Sequence, residues 1–175
     1  MGSGVVVAEA PSGRILFHNQ AATRLLGHPV EQSADYTEYG SFRAVHKDGT
    51  PYRPEEYPGA RALAGNVVQE EMRYRRGDGT AAVMDVNAAP VRDDDGRVIA
   101  TVTAFHDITK LKRTEAELRE SENRFRLMAD NLPLIVWIHD AEGNQEFVNE
   151  TFAEYFGVSR EEMRAGRWQI LMHPD

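Results

Sequence analysis

The chain has 175 residues, 41% of them hydrophobic and 27% charged, enough for a core in one domain or two small ones and too apolar for wholesale disorder. Its 20 Lys and Arg against 28 Asp and Glu leave a net charge of −8, which argues against nucleic-acid or anionic-membrane binding, since both need a concentrated positive field. With no cysteine, no apolar run near the ~20 residues of a membrane span and no signal-peptide pattern at Met1-Gly2-Ser3-Gly4-Val5, the sequence predicts a soluble, acidic, cytoplasmic protein without disulfides or thiolate metal sites.

Val5 to Glu9 is short and β-branched and predicts a strand. Pro11-Ser12-Gly13 reads as a turn, and alternation from Arg14 to His18 as a second strand. Asn19 stands where a helix N-cap belongs, ahead of Ala22, Leu25 and Leu26, and Gly27 suits the left-handed C-cap. Residues 31–53 are irregular, with Gly and Pro punctuation and only short helical turns. Pro54 to Gly65 predicts one helix, with Ala60, Leu63 and Ala64 on one side and Pro58 in its first turn. Three strands follow, Val67–Arg75, Ala81–Val91 and Val98–Phe105. Their turns, Gly77-Asp78-Gly79 and Asp93-Asp94-Asp95-Gly96, carry the Asp-Gly signature of hairpins.

From Asp107 to about Asn131 the pattern is a polar helix. Leu111, Thr114, Leu118, Ser121, Phe125 and Met128 form a short heptad seam. Glu115–Arg119, Glu120–Arg124 and Glu122–Arg126 lie at i, i+4, each worth ~0.2–0.5 kcal/mol. Beyond it, Leu134–His139 and Gln145–Val148 predict strands around a Glu142-Gly143-Asn144 turn. Asn149 caps a helix through Phe152, Tyr155 and Phe156 that stops at Gly157. The chain thus repeats itself: Gly13 matches Gly143, Phe17 matches Phe147, Asn19 matches Asn149 and Gly27 matches Gly157, every pair 130 positions apart and without a gap. Val5-Val6-Val7 then corresponds to Ile135-Val136-Trp137. The fold class is α+β: an antiparallel sheet with short flanking helices, a long connecting helix and an incomplete second unit.

No catalytic constellation is present. A Gly-rich phosphate loop and a Gly-x-Ser-x-Gly elbow are missing, and His18, His28, His46, His106, His139 and His173 have no metal-ligand spacing. His18 and His139 read as structural. Asp93-Asp94-Asp95-Gly96 lacks the Glu of a calcium loop and reads as a turn. Asn149-Glu150-Thr151 fits a glycosylation sequon, but Asn149 is better explained as a cap.

In this order the elements resemble the PAS sensory domain, in tandem. Phe105-His106-Asp107-Ile108-Thr109 is similar to the Asp-Ile-Thr signature at the end of the last PAS strand. Arg119 to Arg126 is similar to the helix joining consecutive PAS domains in bacterial signalling proteins, and His173-Pro174-Asp175 to a mid-domain PAS segment. The resemblance implies a PAS-like domain at 1–107 that lacks its N-terminal helix, a connecting helix at 108–131, and the first half of a second domain at 132–175. A half-domain with Trp137, Phe147, Phe152 and Phe156 on one face leaves that face uncovered. The expectation is therefore a piece of a longer sensor protein, such as a sensor histidine kinase, or a unit that borrows surface from another chain.

PAS domains bind ligands between sheet and helices. Alternation puts Met84, Val86 and Ala88 on the apolar side of the middle strand, and Met72 and Tyr74 with Val68 and Glu70 on the strand before it. The last strand is ambiguous by periodicity; the resemblance, counted back from Asp107, turns Ile99, Thr101, Thr103 and Phe105 inward. Leu63 closes the helical side. The candidate pocket is therefore Leu63, Glu70, Met72, Tyr74, Met84, Val86, Thr101, Thr103 and Phe105. The same residue types also fill ordinary cores, but inward polar groups need partners, and Glu70 is the sharpest case. A covalent flavin or cysteinyl chromophore is excluded, and a haem lacks a histidine within residues 54–65. Non-covalent flavin, a small organic acid or no ligand remain, so the cofactor is left unassigned. Asp107, with Ile108 and Thr109, is expected to cap the connecting helix and couple sheet to helix. The implied function is a non-catalytic sensory or interaction module that dimerises through the 108–131 helix and feeds an output domain further along the full-length protein. A ligand-free dimerisation and relay scaffold is the alternative. Neither nucleic acid nor membrane is expected to contact this segment.

Overall fold

The computed structural model describes residues 2–30 and 33–157, so the His173-Pro174-Asp175 segment lies outside the described residues. The chain divides into two compact units, Met1–Arg113 and Thr114–Asp175.

The first unit begins with a hairpin, β1 (Gly4–Glu9) and β2 (Ile15–His18). Asn19 then caps α1 (Gln20–Leu26) by accepting the Ala22 amide, and Gly27 ends it at φ 70°, a conformation that glycine reaches without strain. Between residues 33 and 53 the short helical turn expected there is the 3₁₀ helix Tyr36–Ser41, and Ala44–Val45 adds a short strand, β3. The single helix expected from Pro54 to Gly65 is two. A 3₁₀ turn at Pro54–Glu56 is separated from α2 (Pro58–Leu63) by Tyr57, whose ψ of 139° is extended. The pyrrolidine of Pro58 forces that break, because it excludes the helical conformation from the residue before it. The strands β4 (Val68–Arg75), β5 (Ala81–Arg92) and β6 (Val98–Asp107) complete the unit.

The six strands form one sheet in the order β2-β1-β6-β5-β4-β3, with every pair antiparallel. Alternation decides its faces. Met72, Tyr74, Ala82, Met84, Val86 and Ala88 are buried under the helical segments, while Gln69, Glu71, Arg73 and Arg75 are exposed. One close approach fixes the β4–β5 turn against the end of α1. The Gly77 amide donates to the Leu26 carbonyl at 3.0 Å, and a Cβ at Gly77 would stand 2.0 Å from the Gly27 oxygen.

A long helix, α3 (Thr109–Asp130), starts in the first unit and runs into the second. Its seam residues Leu111, Leu118, Phe125 and Met128 are exposed. The second unit adds β7 (Trp137–His139), β8 (Gln145–Val148) and α4 (Glu150–Phe156). This hairpin and helix follow the same plan as β1, β2 and α1. The caps Asn19 and Asn149 have φ, ψ of −89°, 165° and −86°, 171°, and Gly27 and Gly157 both close a helix in the left-handed region. Both asparagines do three jobs. Asn19 Oδ1 accepts Ala22 and Val5 amides while Nδ2 donates to Ser3; Asn149 Oδ1 accepts Phe152 and Val136 amides while Nδ2 donates to Leu134 and Ala129. The ungapped offset is corrected by these bonds. Val5 corresponds to Val136 and not Ile135, and Phe17 pairs Val7 as Phe147 pairs Ile138, so one residue fewer connects the second hairpin.

Candidate functional site

Between the sheet and the helical segments of the first unit lies a cavity of about 70 Å³. Its sheet wall is built by Val6 and Ala8 of β1, Met72 and Tyr74 of β4, Met84 and Val86 of β5, and Thr101, Thr103 and Phe105 of β6. The register explains the set. Gly4–Phe105–Val86 and Val6–Thr103–Ala88 are cross-strand rows, so inward residues of three strands meet side by side. The opposite wall comes from Leu26 of α1, from Tyr39 and Phe42, and from Tyr57, Pro58 and Gly59 where α2 begins.

Seven of the nine expected pocket residues therefore share one cavity: Met72, Tyr74, Met84, Val86, Thr101, Thr103 and Phe105. The structure puts Leu63 and Glu70 outside its lining. Leu63 packs near Gly13 at the end of α2. Glu70 lies on the inward face of β4, but its carboxylate turns to Arg61, with Oε2 2.6 Å from Nη1. Ile99, also expected inward, is exposed beside the first residue of β6. The helical lining had no periodic signal. Tyr39 and Phe42 come from the stretch that reads as irregular, and Val6 and Ala8 come from a run that is apolar on both faces.

The tyrosines at the cavity are committed to protein partners. Tyr39 donates to the Gly13 carbonyl at 2.7 Å, Tyr57 donates to the Phe42 carbonyl and accepts the Ala44 amide, and Tyr74 lies 2.6 Å from His28 Nε2. Burial pushes the Tyr39 and Tyr74 hydroxyls up to about 12 and raises that of Tyr57 as well, so all three stay neutral. Their rings pack edge-on, Tyr39 against Phe42 and Tyr57.

A polar node sits where β6 becomes α3. Asp107 Oδ1 accepts the Thr109 amide at 2.9 Å and also the Thr109 hydroxyl, while Oδ2 takes the Arg76 guanidinium. Burial works to raise the Asp107 carboxyl, but the Thr109 bonds and the Arg76 charge outweigh it and hold the group below the usual carboxylate range. Thr109 Oγ1 in turn accepts the Val83 amide at 2.9 Å, and the Ile108 amide donates to the Val83 carbonyl. Arg76, which no sequence pattern marks, reaches in a second direction: its Nε donates to the Leu25 carbonyl at 3.1 Å. One guanidinium thus joins the end of α1, next to cavity-lining Leu26, to the start of α3. On the outer face, Lys112 of α3 pairs with Glu71 of β4 at 2.6 Å.

A family model described as PAS fold matches residues 2–113, and one described as PAS domain matches residues 123–174. Uncharacterized protein y4lL of Sinorhizobium fredii is 28% identical over 137 residues, 78% of this chain and 16% of that protein. The peroxide stress-activated histidine kinase mak1 of Schizosaccharomyces pombe is 23% identical over 178 residues, 98% of this chain and 11% of that protein. The chain therefore spans less than a fifth of the length of either relative. Among solved structures, an RNA-binding light-oxygen-voltage receptor superposes with a TM-score of 0.51 at 25% identity, covering 69% of this chain and 34% of that one.

Proposed function

The chain belongs to the PAS fold family, and we propose that residues 1–107 form a non-catalytic sensory or interaction module, with a connecting helix at 108–131 and the first half of a second such module at 132–175. The module binds a small ligand or a partner at the face that holds the cavity and passes the change to the connecting helix. The supporting observation is the Arg76 side chain, bonded both to the carbonyl beside cavity-lining Leu26 and to Asp107 at the head of α3. A displacement of α1 or β6 by an occupant changes that geometry, and the helix is the element positioned to carry the change onward.

In this reading the partner of the connecting helix is a second copy of the chain. Leu111, Leu118, Phe125 and Met128 repeat at heptad spacing and are exposed. An output domain, such as a histidine kinase core, receives the signal in the full-length protein, and the module works in the cytoplasm without contact to nucleic acid or membrane. No described helix is long and apolar enough to cross a membrane.

A second reading, a ligand-free dimerisation and relay scaffold, is favoured by the modest cavity volume of about 70 Å³. Native mass spectrometry of freshly purified protein separates the two. A stoichiometric small molecule on the dimer supports sensing, a clean apo dimer supports the scaffold, and a monomer at all concentrations contradicts both.

A further inference from the structure

The walls of the cavity restrict the chemistry of an occupant; the restriction rests on the sensory reading above. Among the described residues, no Lys, Arg, His, Asp or Glu lines it. The bordering tyrosine hydroxyls are spent on protein partners and stay neutral. A carboxylate or phosphate placed there loses its hydration without gaining a cation, and an ammonium loses its own without gaining an anion. The carboxylate of Glu70, on the same face of β4, is held by Arg61 and lies outside the lining.

Volume restricts the occupant further. The space of about 70 Å³ is roughly half of the ~150 Å³ in which a protein cavity takes up benzene, and it is far below the ~300 Å³ at which cofactor pockets begin. What the chamber offers is mainly apolar contact, with the adaptable side chains of Met72 and Met84 and, from β6, Thr101 and Thr103 among its lining residues. Gly59 lets the α2 backbone approach one of these side chains, since a Cβ there would stand 3.2 Å from Thr103 Oγ1.

We propose that this cavity binds a small neutral molecule, smaller than benzene, apolar except for one carbonyl or hydroxyl oxygen that accepts a hydrogen bond from Thr103. Short ketones and alcohols have this chemistry. So few atoms limit the attainable affinity, and titration belongs in the millimolar range.

The test uses the full chain labelled at its methionine methyls. Met72 and Met84 report on the cavity, and the other four methionines are controls. Acetone, xenon, acetate and methylammonium are titrated separately and read by NMR. Acetone and xenon are expected to shift the Met72 and Met84 methyls saturably. Thr103→Val should weaken acetone roughly 2- to 10-fold, the cost of one hydrogen bond, and leave xenon unchanged. Thr103→Ser should restore acetone binding, and the xenon response shows that each variant is folded. Acetone binding equal in wild type and Thr103→Val overturns the proposal. Saturable shifts with acetate or methylammonium overturn it too, while leaving the sensory reading standing. Cavity methyls silent to xenon and acetone alike overturn the proposal and leave the sensory reading to the native mass-spectrometry test above.

Discussion

Alanine at position 107 removes a helix cap and an ion pair in one step. Asp107 accepts the amide and hydroxyl of Thr109 through one oxygen and the Arg76 guanidinium through the other. A lost cap costs about 1 kcal/mol and a lost charge-assisted hydrogen bond about 1.5–3 kcal/mol. The side chains of Arg76 and Asp107 are each 20% exposed, so water rehydrates part of what is left, and the lower end applies. The expected loss is about 2–3 kcal/mol, or about 10 °C in the Tm of a unit of this size. The loss depends on pH. The folded-state carboxyl is held below its usual range, so its contribution is complete above the unfolded pKa and disappears as pH falls through the folded one. Wild type and Asp107→Ala should therefore differ at pH 7 and converge in acid. Urea denaturation measures the difference, and hydrogen exchange localises it to the amides from Thr109 to Lys112. A double-mutant cycle with Arg76→Ala should give a coupling of at least about 1 kcal/mol. Strict additivity, within about 0.5 kcal/mol, would refute the idea that the two side chains act as one node.

Three further outcomes are expected. Gly77→Ala should cost more than about 2 kcal/mol, since its Cβ would meet the Gly27 carbonyl at 2.0 Å; a melt unchanged from wild type contradicts the close approach of turn and helix. Asn149→Ala should destabilise the second unit by more than an ordinary cap's ~1 kcal/mol, because its fully buried amide also donates to Ala129 and Leu134; local hydrogen exchange at β7 and α4 reads this, and exchange like wild type's would count against it. Leu118→Glu should abolish dimerisation in sedimentation while leaving the circular dichroism of the monomer intact, and an unaltered dimer would place the interface elsewhere than on the α3 seam.

Local chemistry was legible in the sequence and tertiary placement was not. Asn19 and Asn149, with Gly27 and Gly157, announce their helices because capping is decided within a few residues. The same regularity concealed a shortened hairpin: the matching glycines are evenly spaced, and the missing residue falls before them. Alternation placed Met72, Tyr74, Met84 and Val86 together, since a strand buried on one side has only two faces. It also placed Glu70 inward but could not foresee Arg61, nine positions earlier on α2, taking its carboxylate. Tyr39 and Phe42 pack through contacts from distant segments and leave no periodic trace. Arg76 stands beside a turn glycine like any solvated charge; its role comes from the folded approach of Leu25 and Asp107.

The most direct test of the relay reads the head of α3 while perturbing the far side of the cavity. Leu26→Ala trims a wall residue on α1 that is joined to Asp107 through Arg76. Amide chemical shifts of Ile108 to Lys112 are recorded for Leu26→Ala alone and combined with Arg76→Ala. The account predicts clear shifts with Arg76 in place and their collapse without it; shifts of equal size in both backgrounds would contradict it.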